Sequence, residues 1–208
     1  MYLKDRDLLV YEPSLFIDTM ITPQILVKDT PCSFSNNNIY TQAVDFSARN
    51  IGIGSVVTLG LVPLEIIEVV DDHRIRLSFL RSRIEDDPIE VRYDLDTKFS
   101  VITYEPQIAL AHEELRCLLQ IKSEDFDNLM ISTDTENIIK FKRIIAYIAL
   151  EKIFQNLLLS QTERYKTLYE KCLYYQQQVL KALDIIHTTN RSDGLPVMSG
   201  STAQLTRT

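Results

Sequence analysis

The 208-residue chain has no tryptophan, only five glycines, three histidines and three cysteines. Each shortage closes off a class of function. Cys32, Cys117 and Cys172 are odd in number and widely spaced, with no CxxC pair, which argues against a disulfide framework and a structural zinc site. His73, His112 and His187 are far apart, and His112-Glu113-Glu114 lacks the second histidine of a zincin helix. Glycine clusters only in Ile51-Gly52-Ile53-Gly54, where Ser55-Val56-Val57 follows instead of a third glycine and a helix, so a dinucleotide loop is disfavoured. Positive charge is also short: 22 Lys and Arg stand against 29 Asp and Glu, a net charge of −7, which argues against a protein built to grip nucleic-acid phosphates. No long apolar run is free of charges. The most apolar stretch, Asn137–Leu159, is interrupted by Lys140, Lys142, Arg143, Glu151 and Lys152, too many for a bilayer core, and no membrane association is expected. The N-terminus, MYLKDRDLLVYEP, carries charges where a signal peptide needs its apolar segment.

What remains is 45% hydrophobic and 25% charged, an ordinary balance for a chain that buries a core. Residues 1–24 read as an arm or short helix broken by Pro13, with Leu15, Phe16, Ile17 and Met20 to dock it on the body. Residues 25–104 turn β-branched, with candidate strands at Ile25–Val27, Ile39–Phe46, Ser55–Leu59, Leu64–Val70, Arg74–Leu80, Ile89–Tyr93 and Phe99–Tyr104. Turns at Asn36-Asn37-Asn38, Ile51–Gly54 and Asp71-Asp72-His73 give the spacing of a small antiparallel barrel or sandwich.

At Glu105-Pro106 the apolar period changes from 2 to 3.6. Ile108, Ala111, Leu115, Leu118 and Leu119 form one helical stripe. Asn137–Leu159 carries two neighbouring stripes and is predicted to be a central helix sandwiched between others. Thr133–Glu136 and Ser160–Glu163 have the spacing of capping boxes. Tyr165, Leu168, Cys172, Tyr175, Val179, Leu183 and Ile186 make the stripe of a last long helix, and Cys117 and Cys172 read as buried thiols. The fold class is therefore α+β. An N-terminal arm (1–24) and an antiparallel β-rich barrel or sandwich (25–104) precede a block of three main helices (105–187) and an extended C-terminal tail (188–208). In that tail Leu195, Val197, Met198 and Leu205 are the apolar points by which a neighbouring chain can hold it.

Candidate chemistry is sparse. Asp71-Asp72, Glu85-Asp86-Asp87 and Asp94-x-Asp96 lack the glycine and distal glutamate of a calcium loop and read as solvated turns. Only His112 with Glu113 and these turns support an enzyme, so no catalytic residue, metal site or cofactor is assigned. Lys140, Lys142 and Arg143 form a basic cluster without a second basic run to make it a DNA contact. Ten tyrosines, four of them (Tyr165, Tyr169, Tyr174, Tyr175) on the last helix, suit core packing and protein interfaces equally.

The start YLKDRDLLVYEPSLF, the later AVDFSARNIGIGSVVTLGLVPLEI and EPQIALAHEELRCLL, taken in that order, resemble phage and prophage structural proteins. The helical part, Pro106 to Ile186, is similar to the head–tail adaptor (connector) proteins of tailed bacteriophages. The resemblance implies a non-enzymatic virion protein, assembled in the host cytoplasm into the neck as a homo-oligomeric, usually dodecameric, ring below the portal protein. Its partners are portal and other neck or tail proteins, and DNA passes through without specific binding. The β-rich insert is larger than a minimal adaptor and keeps a stopper or tail terminator as the alternative, with an enzyme a distant third. Lys140, Lys142 and Arg143 are then expected to pair with acidic residues of a neighbouring subunit, alongside the four apolar tail residues.

Overall fold

A computed structural model describes residues 3–18, 24–92, 97–122, 126, 135–160 and 164–192. Two compact units make up the chain: Leu3–Pro106, and a second that begins at Gln107.

The first unit holds a closed, wholly antiparallel barrel in the order β1-β2-β5-β4-β3-β6. Its strands are β1 (Ile25–Ser35), β2 (Asn38–Tyr40), β3 (Val56–Leu59), β4 (Val62–Asp71), β5 (Arg74–Ser78) and β6 (Thr97–Ile102). Closure removes the free edges that a sandwich of the same strands would leave. The β1–β2 turn places Asn36 and Asn37 at φ 48° and 63°, a left-handed pair that asparagine tolerates and a two-residue hairpin requires. In the β3–β4 hairpin Gly60 takes φ 59° for the same reason. β1 reaches both β2 and β6 because it is bulged between Val27 and Thr30, with Asp29 at φ 43°. The interior is filled by alternating side chains, among them Ile39, Val57, Leu59, Leu64, Ile66, Ile75, Leu77 and Val101, with Phe46 tilted against Phe99 at 6.0 Å.

The arm forms two short helices, α1 (Asp5–Leu9) and α2 (Leu15–Asp18). Leu8, Leu15 and Phe16 are fully buried, and Phe16 meets Tyr104 edge-on at 5.2 Å. α2 lies against β3 and β4, which explains why all four residues of β3 are buried although only alternate ones face the interior.

Two expected strands fail, for visible reasons. Ile39–Phe46 pairs only over Asn38–Tyr40, because its neighbour β5 begins at Arg74 and offers nothing further. Beyond it the chain is held by the turn instead: Thr41 N–H donates to the His73 carbonyl (3.1 Å) and Phe46 N–H to that of Asp72 (2.8 Å). Ile89–Tyr93 has no ladder over its described residues. Ile89 N–H donates to Ser78 Oγ (2.8 Å) and Val91 N–H to Asn37 Oδ1 (2.9 Å), so side chains take the place of a neighbouring strand.

Among the described residues, the long helices that follow the barrel are α3 (Glu105–Leu118), α4 (Thr135–Ser160) and α5 (Tyr165–Ser192). α3 starts at the end of the first unit, where Pro106 in its first turn lacks an N–H that would have no intrahelical partner. Within the second unit, α4 and α5 form a long antiparallel hairpin of the kind that short connections favour. α4 is buried on nearly every side from Ile144 to Phe154, as two apolar stripes demand. Ala146 and Ala149 give room for close approach, Phe154 stacks on Tyr175 at 5.7 Å, and the Lys171 ammonium lies 5.1 Å from the Phe154 ring centre. A Lys152–Glu114 ion pair links α4 to α3. Two expectations change. Cys117 is exposed on α3, on the side away from Ile108, Ala111 and Leu115. α5 runs to Ser192, five residues past the expected limit at 187, because the first helix-breaking residue is Gly194.

Candidate assembly surface

Among the described residues, those singled out from the sequence do not converge. Lys140 and Lys142 are half-buried and Arg143 is exposed, on the first turns of α4. Positions 140 and 142 fall on opposite sides of a helix, so these three side chains cannot form one patch. Leu195, Val197, Met198 and Leu205 lie outside the described residues, as do Asp94, Asp96, Glu124, Asp125, Asp127 and the residues 161–163 of the second capping box. His187 is in α5. Glu113 is engaged by Arg116 at 2.6 Å and 3.0 Å, a helical pair that occupies the carboxylate beside His112. His73 is a turn residue, its Nδ1 2.9 Å from the Val44 carbonyl. Asp71 accepts from the His73 N–H at 2.9 Å and Asp86 from the Arg83 N–H at 2.8 Å, both local turn bonds. Gly52–Gly54 is a turn too, and it receives the arm: Arg6 N–H donates to the Gly54 carbonyl at 2.9 Å. Among the described residues no three His, Cys, Asp or Glu side chains gather as a metal site, and no helix is long and apolar enough to cross a membrane.

Two features emerge that the sequence did not point to. The first is a set of buried charges between arm and barrel. Glu65 is fully buried on the outer face of β4. Arg6 of α1 donates through Nε to Glu65 Oε2, and Arg81 donates to Glu65 Oε1 through Nε (2.7 Å) and its own backbone N–H (3.0 Å). Arg6 also donates to the Arg81 carbonyl (2.8 Å), and Arg81 to that of Asp86 (2.8 Å). Both arginines and the carboxylate are thus bonded on several sides, the condition under which a buried ionic cluster is tolerated. Next to it Asp5 is buried, and its Oδ1 accepts the Tyr104 N–H at 2.8 Å. Burial raises its pKa from the ordinary 3.8 to about 7, opposed by that hydrogen bond and by Thr103 and assisted by the charge of Glu105. Every contact in this set lies within the first unit. It pins the arm and offers no room for a substrate.

The second feature is the outward side of α5. Leu168, Cys172, Tyr175, Val179 and Ile186 are buried, while Tyr165, Tyr169, Leu173 and Leu180 form a parallel stripe left in solvent. Tyr165 and Tyr169 stack at 6.0 Å with planes 6° apart, making a flat aromatic surface. Of the four tyrosines on this helix, Tyr175 is core and the other three are exposed. A second apolar stripe on a surface helix is the pattern of an interaction site. No family model, curated protein or solved structure matches the chain.

Proposed function

We propose that this protein is a structural adaptor of a phage or prophage virion neck, joining other proteins by surface contact. The observation that carries the reading is α5, apolar toward its own hairpin and apolar outward along Tyr165, Tyr169, Leu173 and Leu180. This hairpin lies in the part of the chain that resembles head–tail adaptors. The net charge of −7 fits a ring whose channel must let DNA slide without holding it, since like charges repel. The barrel, with its interior closed by its own side chains, serves as a rigid module in this reading.

The test is to mix the purified full chain with a portal protein of a tailed phage from the same genome and to image the mixture by electron microscopy. Rings of this protein seated on portal are expected. A chain that neither cosediments with portal nor forms rings in its presence overturns the reading.

A further inference from the structure

The outward stripe of α5 carries a charge pattern that says what covers it. Tyr165, Tyr169, Leu173 and Leu180 are 54%, 45%, 38% and 63% exposed, and their four- and seven-residue spacings put them on one side of the helix. Gln176 falls in the same stripe. One flank of the stripe is the buried seam with α4, so no charge can stand there. The other flank carries Lys166, Glu170, Lys181 and Asp184, all exposed.

From this one-sided arrangement we infer that the stripe binds a second copy of itself, α5 against α5, antiparallel. The geometry leaves one orientation. When two copies pair in parallel, the charged flank of each faces the opposite flank of the other, which here is the hairpin seam. When they pair antiparallel about a two-fold axis perpendicular to the helices, like flanks come together. With that axis level with residue 175, Lys166 stands opposite Asp184 of the second copy, and Glu170 opposite Lys181. Tyr169 then packs on Leu180, and Leu173 lies beside Gln176 near the axis. Each charge meets its opposite in this register, and a slip of one helical turn brings Lys166 level with Lys181 or with residue 188. The flank charges therefore fix alignment while the tyrosines and leucines supply buried apolar area.

This pairing deepens the adaptor reading, since it covers the stripe on which that reading rests, but it is read without portal, so the failure of one is visible apart from the failure of the other. Light scattering coupled to size exclusion reads it directly. The full chain alone is expected at twice its 24.0 kDa mass at micromolar concentration. Leu180→Asp and Tyr169→Asp are expected to return it to the single-chain mass with unchanged helical circular dichroism. Glu170→Lys and Lys181→Glu are each expected to weaken association by about tenfold, and both changes in one chain to restore it. A wild-type chain that remains single at high micromolar concentration overturns the proposal. So does a dimer indifferent to Leu180→Asp and Tyr169→Asp, or a double charge exchange no stronger than its single parents.

Discussion

The two units handle surface in opposite ways. The barrel closes every edge, covers the outside of β3 with the arm, and buries even charges where the arm meets β4. The helical unit buries α4 on nearly every side from Ile144 to Phe154 yet leaves apolar side chains of α5 in solvent. The first unit exposes apolar side chains too, but Val10, Ile53 and Leu61 stand singly, after α1 and in turns, which is ordinary for a protein surface. A unit that holds an aromatic stripe beside its core has left part of its stability to be gained from another molecule. On the proposed reading the contrast gives rigidity to the first unit and association to the second, and it can be broken from either side.

The largest effect is expected at Glu65. Glu65→Ala leaves Arg6 and Arg81 buried without their shared carboxylate, and removing one partner of such a cluster costs about 3–5 kcal/mol. Amide exchange should rise across α1, β4 and the segment around Arg81 while α4 and α5 keep their protection. Equal loss of protection in both units would mean that they unfold as one, and the comparison would lose its basis.

Asp5 gives a smaller, pH-dependent effect in the same unit. Its folded pKa of about 7 lies above its ordinary 3.8, so the folded state holds the proton more tightly. The corresponding stability is fully present below pH 4 and is lost as pH rises through about 7, amounting to a few kcal/mol at most. Asp5→Asn keeps an oxygen for the Tyr104 N–H and removes the ionisation. Denaturation midpoints from pH 4 to pH 8 should fall with pH for the natural chain and flatten in the variant. Parallel profiles would place the titration elsewhere.

Gly54→Ala comes next. Gly54 sits at φ 90°, and an added Cβ would stand 3.0 Å from Cβ and Cγ of Lys4. Backbone strain there costs about 1–3 kcal/mol. The loss should appear as faster proteolysis in the arm, before the barrel itself opens.

How far this division was legible in the sequence differs between elements. Periodicity located α3, α4 and α5 because one-dimensional spacing decides which side of a helix is buried. It located most strands and the turns at Asn36-Asn37 and Asp72-His73, because turn chemistry is local. It failed for Ile89–Tyr93, where an apolar run suited to a strand is held by Asn37 and Ser78, residues 54 and 11 positions away. The Arg6–Glu65–Arg81 cluster was invisible for the same reason: its members are 59 and 16 positions apart, and each looks like an ordinary surface charge. The solvent stripe on α5 was half legible. Spacing put Tyr165 and Tyr175 together in the packing stripe with Leu168 and Cys172; Tyr175 is buried there, but Tyr165, at the first residue of α5, is exposed and stacks on Tyr169 instead.

The smallest expected effect tests the helical side of the comparison most directly. Leu159, near the end of α4, is 89% exposed, more than any other large apolar side chain described. It lies on the other helix of the hairpin from the α5 stripe. If the helical unit truly leaves such groups in water, Leu159→Ser removes no buried area, and stability should change by no more than about 0.5 kcal/mol. Burial of a leucine is worth about 1.5–3 kcal/mol, so a loss of that size on urea unfolding would show Leu159 covered in the free protein. Dilution then separates the two ways of covering it. A loss that vanishes at nanomolar concentration places a second copy over Leu159 and extends the association surface from α5 to α4. A loss that persists places it in the chain's own core and leaves the α5 stripe as the association surface under test.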